Sequence, residues 1–255
     1  MALTPNIPMV NLGNLYLSQM NMAWVSGTTL TVAAGQARDS TNTNDIVLAA
    51  LVTINAAVNG ANGLDTGALA NDTFYAVHVV ASSIYGGNSA ADDYLAPCAM
   101  LSTSATAPLL PAGYDMFRRV GYVLTSGAAA ILDFTQRGNG ANRNMWYGAA
   151  IATNITAGAS ATFAAVTASA SVPPLAKEVF INAILTADAG ATRTAALRDG
   201  ASSSAAGQVF MSSPASTVTT ASLICPCGAS GDIDYIVSNA SAAIALNVAG
   251  YLDAL

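Results

Sequence analysis

Short runs rich in branched and aromatic residues, broken roughly every 8–12 residues by turn residues, constrain this chain more than any other feature. Phe74-Tyr75-Ala76-Val77-His78-Val79-Val80 is the densest of them, and its length without a charge predicts a central strand. Further runs cover residues 24–25, 29–33, 45–56, 95–102, 118–124 and 130–136, then 160–167, 178–186, 193–198, 208–212, 217–225, 232–238 and 243–251. In the run from Asp232 to Ser238, Ile233, Tyr235 and Val237 share one face. Asp232, Asp234 and Ser238 lie on or near the other, the alternation of a strand. No long stretch carries the apolar period of an amphipathic helix, and the Ala-rich segments are interleaved with Ser, Thr and Gly. The expected class is all-β.

Turn chemistry divides the runs. Asn59-Gly60-Ala61-Asn62 and Asn139-Gly140-Ala141-Asn142 repeat one tetrapeptide, in which Asn-Gly supplies the positive φ of a reversal. Around residues 146–152 aromatics thin out and an Ala/Ser/Thr-rich half begins. The reading is two jelly-roll-like β-sandwich domains in series, 18–147 and 148–255. An extended arm, 1–17, precedes them, marked by Pro5, Pro8 and Asn11-Leu12-Gly13.

Charge limits the functions open to such a fold. Asp, Glu, Lys and Arg make up 9% of the 255 residues, against about 25% in typical domains. Much of the surface is therefore Ser, Thr, Asn, Gly and Ala, with little repulsion between copies and little desolvation cost on contact. A homo-oligomer, expected as a homotrimer, is the favoured partner reading; the alternative is a monomer with a small-residue coat. Net charge is −6 and Lys177 is the single lysine, so no cationic cluster exists to bind nucleic acid. No apolar run is long enough to span a bilayer. The first residues lack a basic and apolar leader, which predicts synthesis in a cytoplasm. Cys98, Cys225 and Cys227 fit neither a disulfide framework nor, with one histidine, a zinc site. No cofactor and no metal is expected.

Candidate sites are few. Val32 to Asp45 reads as an ordered loop between strands, with Ser40-Thr41-Asn42-Thr43-Asn44 turning on its own backbone. Arg38 would pin it beside Asp39, having five donors to close carbonyl or carboxylate contacts. Arg118 and Arg119 place one guanidinium on each face of a strand. An inward one would need Asp115, Asp133 or Asp65 as partner; both being solvated at a strand end is the alternative. Tyr85, Tyr94, Trp146 and Tyr147 would stack against sugars if exposed, or else serve packing.

Catalytic constellations are harder to find. His78 sits in the most apolar strand without a Gly-x-Ser-x-Gly elbow in the chain, and reads as a core or interface residue. Asp92 and Asp93 fall on opposite faces of a strand, or reach calcium only from a loop. Asp232 and Asp234 share a face at a glycosidase-like separation, although an alternating solvent-facing edge explains them more simply. The segment from Gly138 to Arg143 lacks the third glycine of a dinucleotide fingerprint. No residue is assigned a catalytic role.

Several stretches of the first half occur in an order that resembles a group of tailed-bacteriophage virion proteins. They are Ala34-Gly35-Gln36-Ala37-Arg38-Asp39-Ser40, the segment from Gly63 to Ala70, Phe74-Tyr75-Ala76-Val77, and the segment from Ala107 to Tyr114. Arg118-Arg119-Val120-Gly121 and Phe134-Thr135-Gln136 continue that order, so the similarity covers about residues 30–147. The closing Gly250-Tyr251-Leu252-Asp253 also looks like endings in the group. Proteins of this kind serve as tail fibres, head fibres or decoration proteins. The resemblance implies a virion component that works by assembly and adhesion, with other capsid or tail proteins as partners. A host-surface glycan-binding module and a polysaccharide hydrolase are the alternatives.

Overall fold

A computed structural model describes residues 16–83, 95–138, 140–149, 153–166, 168–204, 207–228 and 231–255. Among them are nineteen strands and no helix, so the all-β class holds. No described helix is long and apolar enough to cross a membrane.

The first half does not form one two-sheet sandwich. Nine of its eleven strands fall into three antiparallel sheets of three strands each. One contains β1 (Leu17–Gln19), β4 (Gly35–Arg38) and β5 (Asp45–Leu48), and a second β2 (Met22–Ser26), β3 (Thr29–Val32) and β6 (Val52–Asn55). The third places β7 (Phe74–Ala81) between β8 (Cys98–Ser102) and β9 (Met116–Leu124). As expected, β7 is central, and it is buried along nearly its whole length. The run 45–56 splits into β5 and β6, which join different sheets. Gly35 explains why β4 lies in a stretch read as loop. A Cβ there would stand 2.5 Å from the Ser18 carbonyl oxygen and 2.7 Å from the Met20 nitrogen, so only glycine lets β1 approach.

The second half has a different order. One sheet runs β12 (Thr153–Gly158), β19 (Ala243–Ala254), β14 (Ala176–Thr186), β17 (Val218–Pro226). The other runs β13 (Ala164–Val166), β18 (Ile233–Val237), β15 (Arg193–Asp199), β16 (Val209–Ser213). Along the chain these eight strands alternate between the two sheets except at β15 and β16, which follow one another in the second.

The two halves share a sheet. β10 (Phe134–Arg137) pairs with β11 (Asn142–Tyr147), and β11 pairs in turn with β19, from Asn142 opposite Ala254 to Trp146 opposite Gly250. The halves divided between positions 147 and 148 are therefore joined across hydrogen-bonded backbone as well as along the chain. A single connected set of buried side chains, from Leu17 to Tyr251, runs through both halves. Of the expected arm, residues 1–15 lie outside the described residues, and Leu17 already pairs with Ala37.

Candidate functional site

The loop singled out in the sequence is organised by Asp39 rather than Arg38. Asp39 is buried, at 3% exposure. Its Oδ1 accepts from the Thr43 amide at 2.9 Å and the Asn44 amide at 3.3 Å; its Oδ2 accepts from Thr41 Oγ1 at 2.9 Å and Asn44 Nδ2 at 3.1 Å. Burial alone would raise this carboxyl's pKa, but the donors of Asn44, Thr43 and Thr41 outweigh it and hold it below the ordinary value. Asn42 takes the left-handed conformation at the tip, with φ 59°. Arg38 closes the base of the loop, donating to the Thr43 carbonyl at 3.2 Å and pairing with half-exposed Asp45 at 3.2 Å.

Arg118 and Arg119 diverge in fate. Arg119 forms a two-pronged pair with Asp253, 2.8 and 2.7 Å to its two oxygens, and also reaches the Ala254 carbonyl. Its guanidinium lies 4.6 Å from the Tyr122 ring centre. The partner is thus none of the three aspartates proposed from sequence. Asp115 instead accepts from the Ser83 amide at 2.6 Å, and Asp65 from the Leu109 amide at 3.4 Å. Burial raises the Asp253 pKa, with Arg119 opposing. Arg118 is the inward-facing member at 6% exposure, and its Nη2 has no partner. Burial lowers its pKa, neighbouring Arg119 adds to that, and Asp39 opposes it. Both arginines border a cavity of about 290 Å³ with Ser40, Thr106 and Phe117.

Arg143, which sequence reading passed over, is the largest fully buried side chain described. It donates to the carbonyls of Met20 at 2.8 Å, Val120 at 2.9 Å, Gly140 at 3.1 Å and Gln19 at 2.5 Å. Burial brings its pKa down to about 10. Gln19 and Met20, both at positive φ, turn their carbonyls around this one cation. The signal lay in β11, where Arg143 and Met145 alternate inward against outward Asn142 and Asn144.

The four aromatic candidates separate. Tyr85 and Tyr94 lie outside the described residues, as do Asp92 and Asp93. Trp146 stacks on Phe180, with ring centres 4.5 Å apart and planes 22° from parallel. Tyr147 donates to the Ser171 carbonyl at 2.7 Å, and its ring lies 5.9 Å from that of Tyr251. Sequence reading missed Phe210, which is 64% exposed and borders a cavity of about 270 Å³ with Phe163, Thr194 and Ser238. Arg198 lies 3.8 Å over the Phe163 ring and pairs with Asp234 at 2.8 Å. Asp234 is therefore a buried structural partner, and not part of a solvent-facing edge.

The remaining reactive groups are quiet. His78 is fully buried, its Nε2 donating to the Ser104 carbonyl at 2.9 Å while Nδ1 has no partner. Burial draws its pKa down to about 4, so the ring is neutral near pH 7. Cys225 and Cys227 are free and buried, and burial pushes their pKa values to about 12 and about 11. No cluster of three or more His, Cys, Asp or Glu placed to hold a metal occurs among the described residues.

Comparison with known proteins adds little. No family model and no curated protein matches the chain. Among solved structures, an isomalto-dextranase of Arthrobacter globiformis T6 complexed with panose is similar at 14% identity and a TM-score of 0.23. That alignment covers 91% of this chain and 36% of the other. A Cry1Da tryptic core variant of Bacillus thuringiensis follows at 8% identity and a TM-score of 0.22, covering 92% of this chain and 51% of the other. The chain thus spans about a third of the first and half of the second, at likenesses too low to carry an argument about fold or activity.

Proposed function

We propose that this protein is a structural component of a bacteriophage particle, a head fibre, decoration or tail fibre protein, acting by assembly and adhesion without catalysis. It works as a homo-oligomer, expected as a trimer, seated on other virion proteins. The observation that carries this reading is the surface. Ten large apolar side chains stand exposed among the described residues, including Leu51 at 60%, Leu109 at 63% and Val218 at 61%, in a chain with only 9% charged residues. Such a surface favours contact with other protein over solvation. The order of motifs across residues 30–147 supports the same reading. A map of purified particles in which this chain occupies a defined, symmetry-related position is the expected result. Its absence from intact particles overturns the proposal.

A second reading, recognition of a host-surface glycan, is favoured by Phe210 and Phe163 beside the hydroxyls of Thr194 and Ser238, since aromatic faces and hydroxyls together suit a sugar ring. Binding on a glycan array that is lost in Phe210→Ala supports it, and an array without hits removes it.

A further inference from the structure

Residues 200–231 carry no charge, and this segment supplies β16 and β17, the terminal strands of the second half's two sheets on one side of the sandwich. β17 pairs with β14 over nine positions, from Glu178 opposite Pro226 to Thr186 opposite Val218, without a register break. Its other edge has no strand partner among the described residues.

Soluble sheets normally defend such an edge with lysines, inward charges, bulges, interior prolines or a covering segment. Along β17 there is no charge and no bulge, and the one proline is the last residue. What it presents is the reverse of a defence. Val218 is 61% and Ile224 52% exposed, with exposed Thr220 and Ser222 between them. The row opposite on β14 is neutral from Phe180 to Thr186, placing Ile184 beside Thr220 and Asn182 beside Ser222, and its one charge, Glu178, stands at the far end opposite Pro226.

We infer that the β14–β17 side of the second half is where a second copy of this chain docks; the inference deepens the proposed oligomer and rests on it. Charge selects the occupant. Each copy carries a net −6, so two copies approach with least repulsion where neither bears a charge. An unpaired strand also needs a neighbour that supplies backbone donors and acceptors together with a neutral, small-residue face, and this chain has that face itself.

The test is the mass of the full chain by sedimentation velocity, for wild type and for Thr220→Lys/Ser222→Lys. Both side chains are exposed, so retention of the β circular-dichroism spectrum is expected. Thr66→Lys, at an exposed bend of the first half, serves as control. A multimeric wild type and control, with a double variant whose dissociation constant is at least about a hundredfold weaker, supports the inference, because like charges facing across a contact cost several kcal/mol. A double variant that assembles as tightly as wild type overturns the surface and leaves the oligomer reading standing. A wild-type monomer at micromolar concentration overturns both. Hydrogen exchange on the wild type is the check that needs no variant. Amides of residues 218–226 become less protected on dilution into the monomer range if the side is an interface, and unchanged protection overturns it.

Discussion

Arg119 and Asp253, 134 positions apart, meet in a two-pronged pair at 2.8 and 2.7 Å that ties β9 of the first half to β19 of the second. Asp253 is fully buried and Arg119 nearly so. A pair of this kind contributes little net stability over an apolar replacement, yet removing one partner strands the other charge. Arg119→Ala is expected to cost about 3–5 kcal/mol in urea unfolding, and Arg119→Ala/Asp253→Ala less than the sum of the single variants. Additive losses would show that the two side chains do not interact.

Arg118 and Arg143 make a controlled contrast, since both are buried cations in the same half. Arg143 is satisfied by four carbonyls, while Arg118 Nη2 has none. Arg143→Met is expected to lose about 3–5 kcal/mol, because several buried carbonyls lose their donor at once. Arg118→Met keeps the volume and removes an unpartnered donor, so a gain of about 1–3 kcal/mol is expected. Equal losses in the two variants would contradict the difference in their surroundings.

Much of the fold was legible because its strands are either dense in branched and aromatic residues or alternate between buried and outward positions. Two strands illustrate this: Phe74 to Val80 reads as central from composition, and Ala243 to Tyr251 as a strand, and both are. β4 was invisible because Gly35-Gln36-Ala37-Arg38 has no branched residue; it is a strand on account of what approaches it. The sheet shared through β11 was equally hidden, since pairing between residues near 146 and 250 leaves no local trace in either segment. In the loop, the density of Ser, Thr and Asn announced self-bonding. The hub is Asp39 and not Arg38 because the donors of Thr41, Thr43 and Asn44 converge on its carboxylate only in the folded loop. The partner of Arg119 lay at the far end of the chain, whereas sequence reasoning searched its neighbours.

His78 predicts an acid sensitivity of definite sign. Its folded pKa, about 4, lies below the ordinary 6.5, so the unfolded chain binds more protons between these values. Stability therefore falls as pH drops from 6.5 toward 4, by about 3 kcal/mol in all, and no further on account of this residue below that. Asp39 acts in a lower window, because its pKa is depressed below 3.8 and its contribution is lost only as pH falls through that depressed value. Urea midpoints at pH 7 and pH 4.5 should differ less in His78→Phe than in wild type. An equal difference in the two proteins would mean that protonation of other groups dominates.

Gly250 sits opposite Trp146 on one side and Phe180 on the other, and the two rings stack across it. A Cβ at position 250 would collide with the Met145 carbonyl oxygen and lie 3.1 Å from the Phe180 ring. Gly250→Ala must therefore push β11 away from β19 or displace the stacked rings, and overpacking of this kind costs about 1–3 kcal/mol. The chain has two tryptophans, so in a Trp24→Phe background the fluorescence reports Trp146 alone. Gly250→Ala is expected to shift that emission to longer wavelength, as the ring loses Phe180 and gains water, along with a lower melting temperature. Phe180→Ala should reproduce the emission shift without the backbone collision. If Gly250→Ala changes neither emission nor melting, the close approach of β11 and β19 at this position is not part of the native sheet.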